Sequence, residues 1–196
     1  MMKNLIGINF REVTPAGIPR VRFQDRYCHF IGRARQGDTF YVCRDDISCP
    51  LARFYLGIGH TGLKNLADVL IGWNDSINQE VALKYLSSAQ VLEACQKYIT
   101  YFPYPQNDLS PDVIVKIGTA DEIMNIVQKL SSLTGMRISA SLSGIGAACG
   151  ECTAYPLVTG EANVSVGCTG SRPGARLKEG ELFLAFPANS KIVEIC

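Results

Sequence analysis

The sequence lacks the features that mark several classes of protein. No apolar stretch approaches the roughly 20 residues that span a bilayer, and the first five residues turn polar before a signal-peptide core can form. There is no run of Lys or Arg and no alternation of basic with aromatic residues, so the broad basic surface that nucleic-acid binding needs is missing. We therefore expect a soluble, cytoplasmic protein that binds neither membranes nor nucleic acid.

Charged residues are also scarce. They make up 19% of the 196 residues, whereas 47% are hydrophobic. Disordered chains show the opposite balance, with few apolar and many charged residues. No internal repeat or low-complexity tract divides the chain, and at about 150 residues per domain its length corresponds to roughly one domain. We expect one folded domain over residues 1–196.

Apolar patterning with Gly and Pro punctuation predicts alternating strands and helices. In the first half, the predicted strands are 6–10, 39–43 and 98–102, and the predicted helices are 27–35, 50–56 with Ser48 as the N-cap, and 79–87. In the second half, the predicted order is strand 112–117, a helix from the Thr119–Glu122 capping box to Leu133, strand 136–141, helix 147–158, strand 163–168 and strand 181–186. This β-α-β-α-β order implies at least one parallel strand pair, so we predict an α/β or α+β domain with a mixed sheet.

Eight cysteines are the most distinctive feature of the composition. A chain of this size needs no disulfide to hold its core, and a cytoplasmic chain keeps its thiols reduced. Cys149 and Cys152 are three residues apart at a predicted helix start, where an α-helix directs both thiols to one side and its N-terminus stabilises thiolates. Cys168 ends a predicted strand, and parallel connections bring such an end to the same sheet edge.

The fourth thiol of such a group is either Cys49, near another predicted helix start, or Cys28. Four thiolates suit a zinc ion or an iron–sulfur cluster. Two other interpretations remain open. Reduced cysteines commonly fill small gaps in a core, and a thiol at a helix start can act as a redox group or as a nucleophile, for which Cys149 is the candidate. We assign Cys43 and Cys95 to the core and regard Cys196 as incidental.

A glycine-rich turn over residues 143–150 precedes the predicted helix that carries Cys149. Backbone N–H groups around Gly144 and Gly146 are candidates for binding an anion, although close packing of a helix on the sheet also favours glycine. Arginines that are candidates for neutralising the anion are Arg22, Arg26, Arg33, Arg35, Arg172 and Arg176, of which Arg172 follows Cys168 most closely. The other glycine pattern, at 57–62, follows a predicted helix, so we interpret it as a helix stop. The chain has two histidines, His29 and His60, and neither has the spacing of a histidine metal motif.

Three segments resemble one archaeal and bacterial family, catalogued as domain of unknown function 169. They are Ile47-Ser-Cys-Pro-Leu-Ala-Arg-Phe-Tyr-Leu-Gly57, Ser143-Gly-Ile-Gly-Ala-Ala-Cys149 and Gly167-Cys-Thr-Gly-Ser-Arg172. The resemblance implies cysteines at the positions of Cys49, Cys149 and Cys168, and it implies no particular activity. Cys152 is less typical of the family pattern, which favours Cys28 over Cys152 as the fourth thiol.

The leading hypothesis is a cysteine-ligated metal or iron–sulfur binding protein. A small anionic ligand at the glycine-rich turn is a possible second component. The alternatives are a small-molecule enzyme in which Cys149 is the nucleophile, and a non-catalytic structural or oligomerisation protein.

Overall fold

A six-stranded sheet runs through the molecule. The computed structural model describes residues 4–59, 62–73, 77–106, 108–135 and 137–195. The strands are β1 (Leu5–Arg11), β2 (Phe40–Cys43), β3 (Tyr98–Pro103), β4 (Val113–Thr119), β5 (Asn163–Ser165) and β6 (Glu181–Pro187), in the spatial order β2-β3-β1-β4-β6-β5.

Helices connect the strands and cover both faces of the sheet. They are α1 (Tyr27–Arg35), α2 (Pro50–Tyr55), α3 (Leu63–Trp73), α4 (Gln79–Ser87), α5 (Ala120–Thr134), α6 (Tyr155–Thr159) and α7 (Ser171–Gly174), with a π-helix at Ala147–Ala154 and 3₁₀ turns at Arg44–Asp46 and Lys191–Glu194. No helix of the described ranges is long and apolar enough to span a bilayer.

The predicted class, a single α/β-type domain, is confirmed, but the predicted parallel pairing is wrong. Every pairing between the named strands is antiparallel. Of the predicted strand 136–141, Met136 lies outside the described residues and 137–141 forms no strand. The reason is visible at Ser141, whose backbone N–H and C=O both bond the side-chain amide of Asn163, at 2.8 and 3.1 Å, and so are not available to a strand ladder.

The two faces of the sheet carry separate apolar clusters because strand side chains alternate between faces. On β4, Val113 and Val115 point into the larger cluster, which also holds buried side chains of α1, α2, α3, α4 and the π-helix. Ile114, between them, points into the smaller cluster under α5 and the C-terminal 3₁₀ turn. The candidate cysteines Cys28, Cys149 and Cys152 belong to the larger cluster.

Local sequence signals place several helix ends correctly. Both hydrogen bonds of the Thr119–Glu122 capping box form at the start of α5, and Gly135 ends that helix in the left-handed conformation. The N-cap of α2 is Cys49 rather than the predicted Ser48. Ser48 instead donates its backbone N–H to the carbonyl of Asp25 at 2.9 Å. Of the residues discussed above, His60 and Cys196 lie outside the described residues.

Candidate functional site

A cleft of about 980 Å³ opens on the α1 side of the sheet. Four cysteines line it, and each belongs to a different part of the chain. Cys28 is in α1, Cys49 caps α2, Cys149 is in the π-helix, and Cys168 precedes α7. The fold therefore brings to one cavity the four thiols that the family resemblance favours.

Close backbone packing of α1 against α7 brings Cys28 towards the segment that holds Cys168. A side chain on Gly174 would meet the Cys28 Sγ at 2.5 Å, and one on Gly32 would clash with the carbonyl of Gly174. Two glycines are therefore needed for this approach. The Cys28 thiol then donates a hydrogen bond to the carbonyl of Gly170 at 3.4 Å.

Cys168 begins a short turn that is held by two hydrogen bonds between Cys168 and Ser171. Its backbone N–H donates to the hydroxyl of Ser171 at 2.8 Å, and the Ser171 N–H donates to the Cys168 Sγ at 3.3 Å. The sulfur thus accepts a backbone hydrogen bond, which fixes its position at the start of α7. Cys49 is also half-buried, and Pro50 directly after it begins α2 where a helix tolerates a missing N–H.

The Cys149–Cys152 pair does not form the two-thiol site that an α-helix would give. These residues lie in a π-helix, whose i→i+5 hydrogen bonds place residues three apart on different sides. Cys149 lines the cleft and donates to the carbonyl of Gly146 at 3.5 Å. Cys152 is fully buried and does not line the cleft. The prediction that both thiols face the same way is therefore wrong.

Burial raises the pKa values of the deeper thiols. Together with smaller contributions from Cys168 and Cys49, it raises the pKa of Cys28 to about 12. It raises the pKa of Cys149 well above its ordinary value, again with contributions from Cys49, Cys168 and Cys28. The four thiols are thus close enough to interact electrostatically. A backbone hydrogen bond with Gly150 near the helix start, the effect predicted from the sequence, lowers the pKa of Cys149 but is outweighed by burial.

The thiols are more widely spaced than the ligands of a single ion. Over the ranges that the structure describes, no three or more His, Cys, Asp or Glu side chains are grouped closely enough to hold one metal ion. A tetrathiolate zinc needs four sulfurs about 2.3 Å from one point. The four thiols line one cavity but lack the compact geometry of a zinc site.

The glycine-rich turn is occupied by a carboxylate of the chain itself. Glu151 is 7% exposed, and its Oε1 accepts the N–H groups of Ser143 at 2.6 Å and Gly144 at 3.2 Å. Its Oε2 accepts a short hydrogen bond from the Ser165 hydroxyl. The Gly144 N–H, predicted to bind an external anion, therefore already has an acceptor within the chain.

Close packing explains the other glycines of this turn. A side chain on Gly146 would clash with the Tyr55 ring, and one on Gly150 would meet that ring at 2.7 Å. The Tyr55 hydroxyl in turn makes a short hydrogen bond to Tyr85, which donates to the carbonyl of Ile145 at 2.7 Å. Gly146 and Gly150 thus allow an aromatic ring to lie against the backbone beside Cys149.

Of the candidate arginines, Arg26 lines the cleft and Arg172 does not. Arg172 donates to three backbone carbonyls, those of Val166, Glu181 and Lys178, at 2.7 to 3.2 Å, and so braces the chain around β6. Arg26 is exposed directly before α1, close enough to Cys28 to lower the pKa of that thiol slightly against the larger effect of burial.

Sequence reasoning missed two parts of the site. Glu151 lies within the Cys149–Cys152 motif, and only its contacts with Ser143 and Ser165 reveal its role. Helix α3 was not predicted, yet Leu70 and Trp73 on that helix line the cleft. The apolar spacing of residues 63–73 was the available signal for this helix.

Comparisons with known proteins agree with the resemblance noted in the sequence. An uncharacterised protein of Methanocaldococcus jannaschii, MJ0308, is 27% identical over 180 residues, covering 90% of this chain and 77% of that protein. No solved structure matches the chain significantly. The model of the DUF169 family, described as "Uncharacterised ArCR", matches residues 3–194, and the chain therefore belongs to this family.

Proposed function

We propose that the cleft binds an iron–sulfur cluster through Cys28, Cys49, Cys149 and Cys168. The observation that carries this proposal is that thiols from four separate parts of the chain line one cavity. When bound, such a cluster supplies one-electron redox chemistry, so electron transfer is the functional class. All seven cysteines of the described ranges are free, which supports a reducing compartment such as the cytoplasm.

The lack of a compact group of ligands in the described ranges argues against a single zinc ion. A cluster presents several metal atoms, so its ligands need not meet at one point, whereas the four sulfurs of a zinc site must.

The exposure of the thiols argues against core packing as the role of all four. Cys95 and Cys152 are 2% and 0% exposed, as expected for cysteines that fill gaps in a core. Cys49 and Cys168 are half-buried and face a cavity. A thiol that only filled space would not leave such a cavity beside it.

A cysteine nucleophile is less well supported. Nucleophilic cysteines need a lowered pKa or an adjacent base, because the thiolate is the reactive form. The pKa of Cys149 is raised well above its ordinary value, chiefly by burial. Cluster ligation does not need the free thiolate, because the metal displaces the proton on binding.

Anaerobic purification, followed by iron and acid-labile sulfide analysis and visible absorption, tests the proposal. We expect stoichiometric iron and sulfide in the wild-type protein and their loss in Cys49→Ser and Cys168→Ser. Cys43→Ser is the matched control, because Cys43 is also half-buried but does not line the cleft. Absence of iron after anaerobic reconstitution, or equal iron in all four proteins, would refute the proposal.

A further inference from the structure

The cleft is larger than four thiol ligands require. Its volume of about 980 Å³ is at the upper end of the roughly 300–1,000 Å³ that is typical of pockets for small organic molecules. The cysteines account for only part of the lining. The remaining walls have a different chemistry, which indicates what else the cleft accommodates.

An apolar wall comes from α3 and the residues around it. Leu70 is 2% exposed, whereas Trp73, which also lines the cleft, is 57% exposed. Ile77, before α4, and Leu51, in α2, add further apolar surface. An exposed tryptophan on the wall of a cavity leaves a large apolar surface in contact with water, and an apolar ligand would cover it.

The charged side chains that line the cleft favour an anionic ligand. Arg26 is the one cationic side chain among the described residues that line the cleft, and no Asp or Glu is among them. In the described part of the chain, no hydrogen bond or ion pair of the Arg26 guanidinium is found. The guanidinium lies beside Gly170, where an added Cβ would be 3.6 Å from its Nη1. A planar guanidinium that has no partner among the described residues is suited to pair with a carboxylate.

We propose that the cleft also binds an organic monocarboxylate with an apolar body. Its carboxylate pairs with Arg26, and its hydrocarbon part covers Trp73 and Leu70. This ligand occupies the same cleft as the proposed cluster. Its position beside a cluster rests on the proposed function. Its binding to Arg26 and Trp73 is independent of the cluster. The partner proposed for the anion is therefore Arg26 and not the Gly144 N–H, which donates to Glu151.

Calorimetric titration of the anaerobically purified protein with octanoate and with octanol tests this inference. The two probes share an apolar chain and differ in charge. We expect octanoate to bind about tenfold more tightly than octanol, because one charge-assisted hydrogen bond contributes about 1.4 kcal/mol or more. Arg26→Gln should abolish this preference, and Trp73→Ala should weaken the binding of both probes.

The matched control is Arg22→Gln, since Arg22 is an exposed arginine of the same segment that does not line the cleft. Iron is measured on the same samples. Octanoate binding that depends on Arg26 supports the inference whether or not iron is present. Absence of octanoate binding, with or without iron, or binding that Arg26→Gln leaves unchanged, overturns the inference and leaves the cluster proposal intact.

Discussion

Glu151 holds Ser143 through two hydrogen bonds of 2.6 Å, one from the backbone N–H and one from the hydroxyl. Cys149 lies between these residues in sequence, so the carboxylate ties the turn to the π-helix that carries the thiol. A buried carboxylate is costly unless its oxygens are hydrogen-bonded. Here the partners are backbone and hydroxyl groups of the chain, and the pairing fixes the shape of one wall of the cleft.

Replacement of Glu151 by Gln should therefore loosen this wall. An amide offers one acceptor oxygen where the carboxylate uses two, so the Ser165 hydroxyl loses the acceptor that Glu151 Oε2 provides. We expect the free energy of unfolding, measured by urea titration, to fall by about 1–3 kcal/mol. Glu93→Gln, at an exposed site, should change it by less than about 0.5 kcal/mol. Equal effects of the two changes would contradict this account of Glu151.

Three glycine-to-alanine changes separate backbone strain from steric conflict. Gly144 has a φ of +68° and open space around it, so Gly144→Ala should cost about 1–2 kcal/mol from conformation alone. Gly150 has no positive φ but contacts the Tyr55 ring, so Gly150→Ala should cost about 1–3 kcal/mol from overpacking alone. Gly146 combines both effects and should be the most destabilised in urea unfolding. If Gly146→Ala were no worse than Gly144→Ala, the Tyr55 ring would have to move freely.

The choice between Cys28 and Cys152 as the fourth ligand can be tested by iron retention. Cys28→Ala should lose iron after anaerobic desalting, because Cys28 lines the cleft. Cys152→Ala should retain it and lose only about 1 kcal/mol of stability, because its thiol fills a buried gap. Cys95→Ala controls for the loss of a buried thiol outside the cleft. Retention of iron in Cys28→Ala together with its loss in Cys152→Ala would reverse the assignment.

Thiol alkylation should distinguish Cys43 from Cys95 in the folded protein. Burial raises the pKa of Cys95 to about 12, although Arg44 partly opposes the rise. At pH 8 only about one Cys95 thiol in ten thousand is ionised, and this fraction increases tenfold for each further pH unit. We expect mass spectrometry to show iodoacetamide on half-buried Cys43 well before Cys95. Simultaneous labelling would mean that the core opens readily.

The ion pair between Arg35 and Glu181 should make stability depend on acidity. Their side chains are both 9% exposed and 2.7 Å apart. Burial alone would raise the pKa of Glu181, but hydrogen bonds from Arg35 and from the Lys178 N–H outweigh it and lower the pKa below its ordinary value. The pair therefore stabilises the fold above the pKa of an unfolded Glu, about 4.3, and this contribution is lost as the pH falls through the lowered value.

The measurement is urea unfolding of wild type and Glu181→Gln from pH 7 to pH 3. We expect the variant to be less stable by about 1.5–3 kcal/mol at pH 7, since it lacks a hydrogen bond between charged groups. The difference should shrink below pH 4.3 as the wild-type carboxylate becomes protonated. A difference that is independent of pH would show that charge on Glu181 is unimportant.

Local signals in the sequence were sufficient for several elements and not for others. The start of α5 was predictable because both capping-box bonds join residues three apart, Thr119 and Glu122. The strand expected at 136–141 failed because Asn163, distant in sequence, takes the backbone groups of Ser141. Apolar spacing also does not distinguish a π-helix from an α-helix, so the orientation of Cys152 could not be foreseen.

The grouping of the thiols was anticipated for a reason that the fold does not support. The expectation relied on parallel strands meeting at one edge, whereas the paired strands are antiparallel. Cys28 instead comes close to Cys168 because Gly32 and Gly174 let α1 and α7 touch. Contacts between helices that are far apart in sequence are not visible in local patterns, so only the structure could supply this explanation.

The sheet separates the cleft from helix α5. Helix α5 packs on the face opposite the cleft, over its own apolar cluster, and exposes Met124 and Leu133 to solvent. A dye or an immobilising linker attached to the outer side of α5 would thus be separated from the cavity by the sheet. That helix offers a handle for immobilising the protein on an electrode while its thiol-lined side stays open to the solution.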